Sequence, residues 1–190
     1  MATGTVRKGD PNWWRGAVIY QVYPRSFQDT TGDGIGDIRG ITARLPHIAS
    51  LGVDAIWLSP FFTSPMADMG YDVSDYCNVD PMFGALSDFD AMMAECERLG
   101  LKVVIDQVIS HTSDQHPWFQ SARSDPDSPY RDWYVWSKTK PKDADQGMVF
   151  PGVQESTWTL DDKAGEYYFH RFYKFQPDLN TANPKVQAEI

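Results

Sequence analysis

Cysteine is scarce: Cys77 and Cys96 are the only two among 190 residues, too few for a disulfide framework. Basic side chains are also few. Lys and Arg number 17 against 26 Asp and Glu, a formal net charge of −9. That balance argues against nucleic acid or an anionic membrane as a partner, because both are bound through basic patches. No apolar run approaches the roughly 20 residues needed to cross a bilayer. Met1 to Asn12 has no hydrophobic stretch that could serve as a secretory signal. The expectation is a cytoplasmic globular protein with no membrane and no nucleic acid among its partners. Aromatic residues, by contrast, are plentiful at 14%, with seven Trp. Their faces pack on sugar rings, and they fill cores equally well.

The order of elements points to an α/β protein. Ala17 to Tyr23 is β-branched and aromatic, is stopped by Pro24, and reads as a buried strand. A Gly/Asp-rich loop follows from Asp29 to Gly40. Ile38, Ile41, Leu45 and Ile48 then recur at helical spacing. Pro46 among them predicts a short turn, then a helix with Pro46 in its first turn that closes near Gly52. Ala55 to Ser59 reads as a second buried strand and Phe61 to Ala85 as a long loop. Leu86, Phe89, Met93 and Cys96 predict the buried stripe of a helix capped by Ser87 and ended at Gly100. Leu101 to Ile109 reads as a third strand. Strand, helix, strand, helix, strand implies a parallel sheet over residues 1–110.

That rhythm breaks at 111–180, which is rich in Pro, Asp, Ser and aromatics with short strand-like pieces such as Glu166 to Phe172. It reads as an inserted subdomain. Asn183 and Pro184 look like the N-cap and first position of a helix occupying 181–190. The chain stops inside that helix, so it is expected to be the N-terminal part of something larger.

Three clusters carry chemistry. Asp29, Thr31, Asp33 and Asp37 place oxygen at every second or fourth position, with the Ile35 carbonyl between and Gly34 at the turn. Oxygen-only clusters suit hard cations, so a structural Ca²⁺ or Mg²⁺ is expected, against the alternative of a plain solvated turn. Gly40 stands at the twelfth position where an EF-hand needs Glu. Asp106 and His111 lie at the C-terminal end of the third strand, the side where parallel α/β proteins bind ligands. Asp68 and Tyr71 follow the second strand. A carboxylate and an aromatic three residues apart suit hydrogen bonds to sugar hydroxyls and a stacking platform.

Six segments now stand in order: Tyr20-Gln-Val-Tyr-Pro-Arg-Ser-Phe27, Gly-Asp-Gly-Ile-Gly-Asp37, Val53-Asp-Ala-Ile-Trp-Leu-Ser-Pro60, Gly70-Tyr-Asp-Val-Ser-Asp-Tyr76, His111-Thr-Ser-Asp114 and Gln176-Pro-Asp-Leu-Asn180. Together they resemble the α-amylase family of glycoside hydrolases, within it the oligo-1,6-glucosidase/α-glucosidase group. The resemblance covers nearly the whole chain from Trp13. It implies the N-terminal part of a (β/α)8 TIM barrel with a small subdomain inserted after the third strand. It also implies a metal at Asp29, Thr31, Asp33, Ile35 and Asp37, and a glucosyl unit held by Asp68, Tyr71 and His111, with Phe150, Phe172 and Gln176 near the pocket wall. Ser110 departs from the family pattern, which has Asn before the histidine.

The implied activity is that of a retaining, exo-acting α-glucosidase on short α-glucosides, with transglucosylation as an added capacity. A sucrose isomerase or trehalose synthase is the alternative, and a non-catalytic amylase-like interaction module a third reading. The nucleophile and the acid/base that retention requires match no acid in this chain. They are expected beyond Ile190, in the rest of the barrel.

Overall fold

A computed structural model describes residues 11–190, so the reading of Met1 to Asn12 as lacking a leader falls almost wholly outside the described residues. The elements run β1 (Ile19–Val22), α1 (Pro24–Phe27), α2 (Ile38–Ser50), β2 (Ala55–Leu58), β3 (Phe62–Thr63), β4 (Asp75–Val79), α3 (Leu86–Leu99), β5 (Lys102–Ile105), α4 (Pro117–Ser124), β6 (Trp136–Ser137), β7 (Trp158–Asp161), β8 (Glu166–Phe169) and α5 (Pro184–Glu189). They form two compact units: the chain up to Phe61 with Cys77–Gln107, and Phe62–Tyr76 with Val108–Ile190.

In the first unit β1, β2 and β5 make a parallel sheet with β2 in the middle, pairing Ile19 with Ala55 and Ala55 with Lys102. Only the central strand is closed off from solvent along most of its length: Ala55, Ile56 and Leu58 are buried, whereas Ile19 and Ile105 on the outer strands are exposed. The expected burial of the first strand is met only at Val22, because β1 has a partner strand on one side alone among the described residues, where a closed barrel pairs both edges. All three strands are also shorter than read. The β5 ladder ends with Asp106 N–H on the Leu58 carbonyl, beside the point where β2 runs into Ser59 and Pro60.

Helix α2 is continuous from Ile38, with Pro46 inside it and not in its first turn. An interior proline costs about 3 kcal/mol. Burying Ile38, Ile41, Leu45 and Ile48, all at most 1% exposed, is worth about 1.5–3 kcal/mol apiece and outweighs that cost. Asp37 caps this helix by accepting the Gly40 N–H at 2.7 Å. Gly40 itself is required by close packing, since a Cβ there would lie 2.1 Å from the Gln28 carbonyl oxygen.

Helix α3 is capped two residues earlier than expected. Ala85 is the N-cap and Asp88, not Ser87, makes the reciprocal bond by accepting the Ala85 N–H at 2.8 Å. Its buried stripe runs through Met92 and Cys96, while Leu86 and Met93 are exposed. Gly100 closes it in the left-handed conformation, as read.

The second unit holds an antiparallel sheet in the order β6-β8-β7 and the helices α4 and α5. β8 ends at Phe169, because the chain turns where His170 Nδ1 bonds the Phe172 carbonyl at 2.9 Å. The aromatic surplus is spent on its core: Phe119, Trp133, Tyr134 and Tyr168 are buried, with Trp118, Tyr130 and Trp136 packed against them. Asn183 caps α5 through the Lys185 N–H. Cys77 is exposed and Cys96 buried, and the two are not joined in a disulfide. Among the described residues no helix is long and apolar enough to cross a membrane.

Candidate functional site

Asp68, Tyr71, His111, Phe150, Phe172 and Gln176 all lie in the second unit. Asp68 and Tyr71 share one turn, with the Tyr71 N–H on the Asp68 carbonyl at 3.0 Å. The Asp68 carboxylate is half-buried and accepts a bond from Gln176 Nε2 at 2.8 Å across 108 residues of sequence. Gln176 is 0% exposed. It therefore supports Asp68 from behind and does not itself form a wall that a ligand could touch. Tyr71 is exposed at 36%, which leaves it at the surface of the turn.

His111 is buried and carries hydrogen bonds at both ring nitrogens. Nε2 lies 3.0 Å from the Tyr71 carbonyl and Nδ1 lies 3.0 Å from the Ser110 hydroxyl. A carbonyl only accepts, so Nε2 bears the proton and Ser110 donates to Nδ1; this tautomer is assigned from the bonding pattern. Burial lowers the His111 pKa from its usual 6.5, against the opposing pull of the Tyr71 carbonyl and of Asp68 and Asp72. The ring is neutral and fixed in orientation. The Nε2 proton is directed to the Tyr71 carbonyl, which ties His111 to the turn that carries Asp68. Ser110, which stands where the family pattern has Asn, thus helps to orient the ring.

The aromatic members join through His111. Phe172 meets its ring edge-on at 5.3 Å between centroids, and Phe150 lies 6.2 Å from Phe172. Gln154 ties these two phenylalanines together: its Oε1 accepts the Val149 and Phe150 N–H groups, and its Nε2 donates to the Arg171 and Phe172 carbonyls. Asp178, bridged to His111 through the backbone, accepts the Arg171 N–H, and burial pushes its pKa up to about 6. The arrangement offers a partly exposed carboxylate, an exposed phenol and a backing of half-buried phenylalanines on the buried His111 ring. That set can hold a polyhydroxylated ring. It contains no acid/base pair. A separate cavity of about 550 Å³ in this unit, lined by Trp158, His170 and Tyr173 among others, includes none of the six.

Sequence reasoning missed two residues, Gln154 and Asp72. Asp72 is 0% exposed and accepts from Ser64 Oγ, Ala67 N–H and Asp68 N–H at 3.0, 3.0 and 2.9 Å. The one available signal was an acidic residue between Tyr71 and Val73, in a stretch that otherwise enters the interior.

The acidic loop of the first unit has donors of the right chemistry for a hard cation, but each carboxylate also serves its own backbone. Asp29 accepts the N–H groups of Thr31, Gly32 and Gly34, Asp33 that of Ile35, and Asp37 those of Thr30 and Gly40. The Gly34 and Gly32 bonds hold the Asp29 pKa below its usual 3.8. Among the described residues no three His, Cys, Asp or Glu are grouped so as to hold a metal ion. Asp106 lies in this unit, just past β5.

The catalytic domain of α-amylase matches residues 21–190. A probable α-glucosidase of Rhizobium meliloti (strain 1021) is 60% identical, over 99% of this chain and 34% of its own length. A trehalose synthase of Pimelobacter sp. (strain R48) is 49% identical over 98% of this chain and 33% of its own. An oligo-1,6-glucosidase of Parageobacillus thermoglucosidasius is 51% identical over 94% and 32%. Among solved structures, the α-glucosyl transfer enzyme XgtA superposes with a TM-score of 0.86 at 53% identity, over 93% of this chain and 33% of that one. The chain thus spans about a third of the length of the relatives it matches. Three parallel strands with their helices are the N-terminal part of a (β/α)8 barrel, and the chain belongs to the α-amylase family of glycoside hydrolases.

Proposed function

We propose that this chain supplies the glucosyl-holding part of a cytoplasmic, retaining, exo-acting α-glucosidase for short α-glucosides. The observation that carries the reading is the Asp68 carboxylate, held at 2.8 Å by buried Gln176 in the same turn that exposes Tyr71. Asp68 accepts hydrogen bonds from the hydroxyls of the terminal glucose, and Tyr71 offers its ring face. Phe150, Phe172 and His111 form the backing, with 111–180 as the subdomain that carries most of it. Binding of this kind accelerates the reaction when it tightens as the ring flattens toward an oxocarbenium ion. The Asp nucleophile and Glu acid/base act from the remainder of the barrel. Asp29, Thr31, Asp33, Ile35 and Asp37 hold a structural Ca²⁺ or Mg²⁺ that braces the loop after the first strand.

A second reading is supported by the similarity to the trehalose synthase: glucosyl transfer or isomerisation in place of hydrolysis. The full-length protein carrying this chain, incubated with p-nitrophenyl α-glucoside, maltose, isomaltose and sucrose, separates the two. Release of α-glucose from the non-reducing end is the expected result. Trehalose from maltose, or a rearranged disaccharide from sucrose, establishes the second reading. Release of β-glucose contradicts retention, and binding without turnover identifies an interaction module.

A further inference from the structure

We propose that Asp72 is a positioning residue: its buried carboxylate is the template on which residues 64–71 fold, and through it Asp68 and Tyr71 take their places. The inference rests on the glucose-holding role assigned to Asp68. A carboxylate removed from water needs donors, and three donors from the loop that presents the site serve this one. Asp72 Oδ1 accepts from Ser64 Oγ and the Asp68 N–H, and Oδ2 accepts from the Ala67 N–H. Ser64 Oγ in turn accepts the Met66 N–H at 2.9 Å. One side chain thus fixes both ends and the middle of the loop.

The loop needs such a clamp because its backbone is strained. Among the described residues, Met66 and Met69 are the non-glycine residues at positive φ, +61° and +52°, in a left-handed region that a side chain disfavours. Met69 is 52% exposed, so little burial offsets its conformation. Left to itself, the turn that carries Asp68 would relax. Strain held in place by surrounding bonds beside a binding residue is the pattern expected of a preorganised site.

Asparagine at 72 keeps the shape but has one acceptor oxygen, and its NH₂ group faces a donor on the other side. In the full-length protein, Asp72→Asn is expected to raise KM for p-nitrophenyl α-glucoside about tenfold with a smaller change in kcat. Met69→Gly in the same background is expected to recover part of that KM, because it removes the strain that drives the loop away. A role confined to stability would lower the melting temperature and the active fraction, with KM unmoved and no rescue. Should Asp72→Asn fail to fold, Ser64→Ala removes one donor to Asp72 together with the acceptor of the Met66 N–H, and is expected to raise KM about two- to tenfold. A wild-type KM in Ser64→Ala or Asp72→Asn, alongside a raised KM in Asp68→Asn, overturns the proposal and leaves the site reading standing. A wild-type KM in Asp68→Asn removes the site reading itself.

Discussion

Two acidic loops, residues 29–37 and 64–72, hold their shapes by opposite means. The first is built from its own sequence. Its carboxylates reach backbone groups mostly two to seven residues away, and its turns fall on glycines, Gly32 at φ +82° and Gly34 at φ +85°. Most of it is exposed. The second takes positive φ on methionines and depends on one carboxylate that is 0% exposed. Its functional side chain is braced by Gln176, more than a hundred positions later. A loop that is locally consistent needs nothing from its surroundings, and its failure costs stability. A loop over-determined by distant contacts is where strain can serve binding.

The largest expected difference between them is functional. Asp68→Asn in the full-length protein loses charge-assisted bonds to sugar hydroxyls, worth on the order of 1.5–3 kcal/mol or roughly ten- to a hundred-fold in kcat/KM, with little change in the melting curve. His111→Ala is expected to act in the same direction by releasing the Tyr71 carbonyl. Asp33→Ala in the other loop should leave kcat/KM close to wild type. Equal losses from both loops would erase the distinction.

The second test concerns the metal. A cation at 100 times its Kd adds about 2.7 kcal/mol to stability. Chelation should therefore lower the melting temperature of the full-length protein by several degrees while sparing activity at low temperature, and Asp33→Ala should abolish that sensitivity. Identical melting with and without chelator would mean that the backbone bonds of Asp29, Asp33 and Asp37 are all that the loop requires.

Legibility in the sequence follows the same division. The periodicity of Ile38 to Ile48, Gly100 as a helix stop and Asn183-Pro184 as a helix start depend on neighbours in the chain, and they were readable. Pro46 was misjudged because local propensity predicts a break that four buried aliphatic side chains override. The first strand reads as buried from its apolar content and is less so here, because it has a partner strand on one side alone among the described residues. Residue type and family resemblance single out Asp68, Tyr71 and His111, which the structure brings together. Asp72 and Gln154 are not singled out, because their work is to satisfy backbone groups of loops, and no sequence spacing announces which carbonyl or N–H a buried side chain will meet.

Paired glycine substitutions probe the strain directly. Gly34→Ala meets no atom within 4 Å, so its cost is conformational alone, about 1 kcal/mol or slightly more for a left-handed alanine. Met69→Gly relieves a similar penalty but adds unfolded-chain entropy, leaving a net gain of about 0.5 kcal/mol. Opposite shifts in melting temperature are expected. Shifts of the same sign would show that the methionine backbone carries no strain.

The smallest expected effect is the pH range in which each loop loosens. Burial places the His111 pKa below 6.5, so the folded chain binds its proton less readily than the unfolded chain. The stability this represents is fully present above pH 6.5 and is lost as pH falls toward the folded pKa. A proton added at Nδ1 also removes the acceptor that takes the Ser110 hydroxyl. Asp29 has its pKa lowered from 3.8 by the Gly34 and Gly32 N–H groups, so its contribution persists until the pH drops below that value. Asp178 works against His111 in the upper range, because a carboxyl raised to about 6 by burial gains stability on protonation. That opposition makes the net change in global melting small, so local amide exchange is the suitable measurement. Protection of residues 64–72 is expected to weaken as the pH is lowered from 6.5, with residues 29–37 unaffected until near 3.8, and His111→Gln should remove the first step. Simultaneous loosening of both loops in mild acid would mean that His111 does not govern the second.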